Sequence, residues 1–170
     1  VPAREAGMLL APAVTEGATV ESGKVLGRID DTEAQVLKAR ASTDVRQARE
    51  LSENDIKVRF AKKSAEVAAA ELQRAMESAE KFAKSVSQTE LDRLKLVADK
   101  SKLEIEQAEH DLSQARMTLA LKQHDLDRAE LQVQRRQITA PITGMVVQWK
   151  RRHGEWVEPG TPVVRIIRLN

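Results

Sequence analysis

Gly7-Met8-Leu9-Leu10 followed by Gly17-Ala18-Thr19-Val20-Glu21-Ser22-Gly23 returns 137 residues later as Gly144-Met145-Val146-Val147 followed by Gly154-Glu155-Trp156-Val157-Glu158-Pro159-Gly160. The correspondence runs without a gap over 3–29 and 140–166, and Ala3/Ala140, Arg28/Arg165 and Ile29/Ile166 are also identical. Each copy reads as a short apolar strand after a glycine, a Gly-x-x-Val-Glu-x-Gly turn, and a closing strand at Lys24–Ile29 or Pro162–Ile167. The turn glycines are expected to supply positive φ, and Val20 and Val157 to anchor the turns to a core. A half of about 30 residues cannot bury a core alone. The copies are therefore two halves of one β domain that fold only against each other, which places Ile29 beside Ile138.

What lies between the halves has a different composition. All seven glycines and all five prolines of the 170 residues fall within 1–27 and 141–162. The middle is rich in Ala, Leu, Glu, Lys, Gln and Arg, the strong helix formers. Charged residues make up 32% of the chain, yet the formal net charge is only +2. Balanced charge describes a solvated helix surface, and no basic block exceeds Lys150-Arg151-Arg152, so nucleic acid is not an expected partner. The absence of Cys removes disulfides and thiolate metal sites. Two Phe, two Trp and no Tyr are few for an enzyme pocket. No apolar run approaches the roughly 20 residues that span a bilayer. The chain opens on Val1 and reads as a fragment whose flanks could carry an anchor.

Two sevenfold ladders run through the first half of the insert. One holds Leu37, Leu51, Val58, Ala65, Leu72, Ala79 and Val86, with Asp44 its polar member. The other holds Ala34, Ala41, Ala48, Ala69, Met76 and Ala83, interrupted by Asp55 and Lys62. In the second half Leu91, Ala98, Ile105, Leu112, Leu119, Leu126 and Val133 form an unbroken ladder, accompanied by Leu94, Ala108, Ala115 and Ala129. Such spacing is the coiled-coil signature. The pattern breaks at Lys84–Gln88, leaving two arms of about 50 residues, roughly 75 Å each as helices, which read as an antiparallel hairpin. Capping boxes are expected at Asp30/Glu33 and Ser87/Glu90. Glu53/Lys57, Glu77/Lys81 and Glu80/Lys84 are spaced as helical ion pairs, and Arg135 and Arg136 suit a helix C-terminus. Asp44, Asp55 and Lys62 are expected at the seam edge with their heads in water.

The expected fold is thus α+β: a long antiparallel coiled-coil α-hairpin, 31–136, inserted into a split β sandwich formed by 1–30 and 137–170, with its tip near 84–90. Two quasi-symmetric β halves with Gly-x-x-Val-x-x-Gly turns resemble the biotinyl/lipoyl domain, a half-motif barrel. The run Ile138-Thr139-Ala140-Pro141-Ile142-Thr143-Gly144-Met145-Val146, with Gly154 to Gly160, is similar to the C-terminal half-motif of the membrane fusion proteins, periplasmic adaptors of the haemolysin-secretion D type. In that family a helical hairpin splits the lipoyl domain. The resemblance covers essentially the whole chain. It implies a subunit with no chemistry of its own that bridges an inner-membrane pump to an outer-membrane exit duct in a transport, secretion or efflux machine. It also implies a periplasmic location, an inner-membrane anchor in flanking sequence, and self-association into a ring, a hexamer or trimer of dimers.

A lipoyl or biotinyl carrier would present a modifiable lysine on the turn joining its halves. Here that turn is Ile29-Asp30-Asp31-Thr32, and the next lysine is Lys38, within the first helix. No cofactor is expected. Ser87-Gln88-Thr89-Glu90-Leu91-Asp92 resembles the family's hairpin tip, which makes Ser87, Gln88, Glu90 and Asp92 the candidate partner-binding residues. In duct-docking members an Arg, a Leu and this Ser form the contact set. The Leu position holds Glu80 and the Arg position Met76, with Arg74 nearby. Capping alone also accounts for Ser87 and Glu90.

No catalytic or metal-binding set appears. His110 and His124 lie two heptads apart, about 21 Å by helical rise, too far to share an ion, and His153 adjoins a turn; all three read as surface. Asp30-Asp31 and Asp125/Asp127 fit caps and helix surface. Trp149 and Trp156 are expected to pack on the β core, although an exposed Trp156 could serve an oligomer contact. Lys150-Arg151-Arg152 reads as a solvated loop or a ring contact. The rival reading is a coiled-coil spacer or arm of a larger protein, which would be monomeric and without a membrane-linked partner.

Overall fold

The computed structural model describes residues 1–82 and 85–168. Among these residues three short strands precede three helices and four strands follow them, as the composition requires: β1 (Gly7–Met8), β2 (Thr19–Val20), β3 (Val25–Arg28), α1 (Thr32–Glu53), α2 (Ile56–Lys81), α3 (Gln88–Arg135), β4 (Gln137–Thr139), β5 (Gly144–Trp149), β6 (Trp156–Val157) and β7 (Val164–Ile167). The chain forms two compact units, 1–43 with 123 onward, and 44–122.

In the first unit the repeat becomes a two-fold. β1 pairs antiparallel with β6 through Gly7↔Val157 and Met8↔Trp156. β2 pairs with β5 through Val20↔Gly144 and Thr19↔Met145. Adding 137 to one member and subtracting it from the other converts the first pairing into the second. The turns obey the same rule. Gly17 N donates to Val146 O at 2.7 Å, and Gly154 N to Leu9 O at 2.8 Å. Gly23 N donates to Ala140 O at 2.8 Å, and Gly160 N to Ala3 O at 2.9 Å. These four glycines have φ of 85° to 88°, the left-handed conformation their turns require. Each half therefore supplies the hydrogen-bond partners of the other. Leu9/Val146, Val20/Val157 and Leu26/Val163 meet in one fully buried core with Ile29 and Ile138. The middle of each glycine turn is a two-residue strand, shorter than any periodicity signal could mark. β3 pairs with β4 through Gly27↔Ile138, and Ile29 N donates to Arg136 O at 2.8 Å. Ile29 and Ile138 are accordingly close, as the half-domain reading demands.

The two tryptophans differ. Trp149 packs against the core and donates Nε1–H to Val14 O at 3.1 Å. Trp156 is 68% exposed, which corrects the expectation that both cover the core. Strand alternation explains it: Val157 points inward, so its neighbour on β6 points out.

The helices follow the sevenfold pattern with one correction. α3 is continuous, and its ladder from Leu91 to Val133 is buried or half-buried throughout. The first arm is two helices, interrupted at Asn54-Asp55. Before the break the buried positions are Ala34, Val45, Ala48 and Ser52, with Ala41 half-buried. After it they are Val58, Ala61 and Ala68, with Ala65, Leu72, Ala75 and Ala79 half-buried. The sevenfold step from 45 and 52 would reach 59, but the buried residue is 58, so the seam slips by one position. In an unbroken helix a one-residue slip rotates the stripe by about 100°, and the break absorbs that rotation. Asn54 Oδ1 accepts from Ile56 N at 3.2 Å and Asp55 is the N-cap of α2. Leu37 and Leu51 are therefore exposed rather than in the seam, and so are Asp55, Lys62, Ala69 and Met76 on the other ladder. Ala83, and Lys84 as the spaced partner of Glu80, lie outside the described residues. Replacing Asn54 and Asp55 together with Ala is expected to lower the melting point of unit 44–122, since a fused helix would carry a mis-phased seam. Inserting one Ala between the substituted positions restores the phase and the stability. Thermal unfolding by circular dichroism separates the two, and equal melting points would contradict the slip.

Antiparallel pairing shows in the cross-helix contacts. Val58 and Ala61 pack on Ala108, Ile105 and Leu112. Lys62 Nζ lies 2.8 Å from Glu109, Lys122 3.8 Å from Asp44, and Lys38 3.2 Å from Glu130. The six side chains keep 39–55% of their surface in water, so each pair contributes about 0–1 kcal/mol and mainly sets register. Of the spaced helical ion pairs, Glu53/Lys57 is separated by the break, and Glu77 instead accepts from Gln73 at 2.9 Å. At the start of α1, Asp30 Oδ1 takes Thr32 N at 3.0 Å and Thr32 Oγ1 at 2.7 Å, a local turn in place of a box with Glu33.

Candidate partner-binding site at the hairpin tip

α2 ends at Lys81 because Phe82 leaves helical geometry while its N–H still donates to Ser78 O at 2.9 Å. Ser85 then ties the turn to α2: its Oγ donates to the same Ser78 carbonyl at 2.9 Å. This serine clamp was not legible in advance, because no spacing rule distinguishes it from surface serines. Ser87 opens α3: its Oγ accepts from Glu90 N at 3.2 Å, the expected cap. The reciprocal half of the box does not form. The Glu90 carboxylate is gripped instead by Arg93 through two hydrogen bonds of 2.6 and 2.9 Å. A bidentate guanidinium outcompetes a single return bond to the cap backbone. Hydrogen bonding to Arg93 holds the Glu90 carboxyl below its ordinary range, and Glu90 in turn raises Arg93.

Gln88 Nε2 donates to Asp92 Oδ1 at 2.9 Å, and both are exposed. These two line one end of a groove of about 590 Å³ whose floor includes Ala69, Leu72, Met76 and Leu91. Met76 thus contributes an apolar surface to this groove, and Glu80 is exposed. The structure brings Gln88 and Asp92 to the groove, while Ser87 and Glu90 are occupied in local bonds. Among the described residues no group of three His, Asp or Glu is placed to hold a metal. Lys38, the first lysine after the inter-half turn, is on α1 and paired with Glu130. Among the described residues no helix is long and apolar enough to cross a membrane.

A two-fold β unit built from exchanged halves, with helices inserted between them, is a specific architecture. The family model for the barrel-sandwich hybrid domain of RND membrane fusion proteins matches residues 1–168. The chain belongs to this family. Solved membrane fusion proteins share the fold. The soluble domain of LipC, from a type I secretion system, superposes with a TM-score of 0.55 at 16% identity over 99% of this chain and 98% of that one. Spr0693 from Streptococcus pneumoniae R6 gives 0.53 at 18% identity over 95% and 55%. MacA from Actinobacillus actinomycetemcomitans gives 0.52 at 21% identity over 99% and 48%. This chain spans about half the length of the last two. Among curated proteins none matches its sequence. The membrane-fusion resemblance and the α+β hairpin fold are both borne out, with the RND branch as the matching model.

Proposed function

We propose that this chain is the central segment of a periplasmic adaptor that joins an inner-membrane transporter to an outer-membrane exit protein, self-associates into a ring, and carries out no chemistry. The observation that carries the reading is the membrane-fusion family match across residues 1–168 on a β unit that needs both halves. In this reading the domain is periplasmic and an anchor in flanking sequence holds it at the inner membrane. A split β domain fixes both ends of the insert at one place. The tip residues Ser87, Gln88, Glu90 and Asp92, with the Leu72–Met76–Leu91 groove, form the contact surface.

Substitution at Ser87 tests it in cells that rely on the full-length protein for export. Ser87→Ala removes the cap alone and costs about 1 kcal/mol of local helix stability, so export persists. Ser87→Arg places a long cation on the contact surface and is expected to abolish export while far-ultraviolet circular dichroism stays unchanged. Normal export with Ser87→Arg would sink the tip assignment. A full-length protein that stays monomeric at every concentration and is not recovered with membranes would favour the spacer reading instead.

A further inference from the structure

Two exposed side chains of the β-containing unit are not explained by its fold. Trp156 is 68% exposed, and its two-fold mate, 137 residues earlier, is Thr19, so the half-domain plan does not ask for an indole here. Glu33 stands exposed in the first turn of α1, but the box expected there gives way to the turn between Asp30 and Thr32. The nearby Arg135 pairs with Glu5 at 3.5 Å instead of with Glu33. Trp156 and Glu33 line one cavity of about 420 Å³, together with Met8, Asp30 and Arg136. That volume falls in the range of roughly 300–1,000 Å³ typical of small-molecule sites. Met8 and Trp156 are cross-strand partners, so their side chains rise side by side on the outer face of the β1–β6 pair.

We propose that this cavity binds a small organic cation with an apolar body, its charge held between the Glu33 carboxylate and the Trp156 indole and its body against Met8. Among the described residues lining the cavity Arg136 is the one base, and its guanidinium donates to the Asp30 carbonyl oxygen. Hydrogen bonds from Thr32 hold the Asp30 carboxyl below its ordinary range, so it keeps its charge. An entering anion would therefore meet two carboxylates, and a neutral ligand would leave both unused. A cation is drawn to the face of an indole more strongly than to any other side-chain ring. The flexible thioether of Met8 can shape itself to an apolar surface beside it. All of these residues lie within the unit formed by 1–43 and 123 onward, so the site stands whether or not the chain is an adaptor.

The full-length protein can be titrated with two ions of one shape and opposite charge, tetraphenylphosphonium and tetraphenylborate. Calorimetry is expected to show saturable binding of the phosphonium and none of the borate. Trp156→Ala and Glu33→Gln should each weaken phosphonium binding by roughly five- to tenfold. Trp156→Phe should weaken it less, and Glu50→Gln, an exposed carboxylate farther along α1, should leave it unchanged. No binding at millimolar phosphonium, equal binding of the borate, or full affinity in either Trp156→Ala or Glu33→Gln would overturn the proposal. The chain has no cysteine, so an introduced thiol is unique within it. With any flanking cysteines replaced, full-length Trp156→Cys should react with a maleimide in the native state. A thiol that reacts only after denaturation would show the cavity covered by another part of the assembly, and would overturn the proposal as well.

Discussion

Gly144→Ala is expected to unfold the β unit at markedly lower temperature than the parent, by roughly 6–12 °C for a loss of about 3 kcal/mol. A Cβ on Gly144 would lie 2.1 Å from Ile167 O and 2.9 Å from its carbonyl carbon. Those atoms are backbone of β7, and Met145↔Ile167 is a rung of the β5–β7 ladder. They cannot move without breaking that rung. The symmetry mate meets a different obstacle. At Gly7 the added Cβ would meet Ile29 Cγ2 at 2.6 Å, a methyl of a fully buried side chain, and the φ of 154° there disfavours any side chain, so Ala is costly at Gly7 as well, through the dihedral and the core and not through a strand rung. Trp149, half-buried against the core, reports the transition by fluorescence. A Gly144→Ala midpoint within about 2 °C of the parent would contradict the clash.

The unequal mates show what a repeat in the sequence reveals and what it leaves open. Identity between the copies disclosed the two-fold, the exchanged partners and the core residues Leu9, Val20, Leu26 and Ile29 with their mates. It could not show that Gly144 is crowded by backbone and Gly7 by a side chain, because that depends on what the other half places opposite. The second arm was legible for a similar reason: seven apolar positions from Leu91 to Val133 keep one phase for the whole of α3. The first arm was misread where phase changed. Ala34, Ala41 and Ala48 belong to the seam, and so do Val58, Ala65 and Leu72, but they are not on one row. The polar residues Asp55 and Lys62 marked the place where the first row leaves the seam. Asn54-Asp55, two good capping residues in succession, was the local signal for a break. At the tip, Ser87 capped as expected, yet Glu90 went to Arg93 because side-chain competition three residues apart is invisible to a motif that names only the cap and its partner.

The largest effect is expected from removing one half. A chain ending at Arg136 retains β1, β2 and β3, but the partners of all three are β6, β5 and β4. Leu9, Val20, Leu26 and Ile29 would face water in place of Val146, Val157, Val163 and Ile138. Ordering a backbone costs about 1–2 kcal/mol per residue, and a lone half of about 30 residues has no core to offset it. The first 29 residues should then lose all amide protection. Unit 44–122 should stay helical, since the Val58–Ala61–Ala108 cluster lies wholly within it. Hydrogen exchange reads both outcomes in one experiment. Supplying a peptide of residues 137–170 should restore protection at Leu9 and Val20 together, because β1 and β2 are held by one and the same missing half. Protection at Leu9 or Val20 in the shortened chain alone would show that a half can fold unaided, and the exchange of partners across the two-fold would no longer explain why the two copies stand so far apart in the sequence.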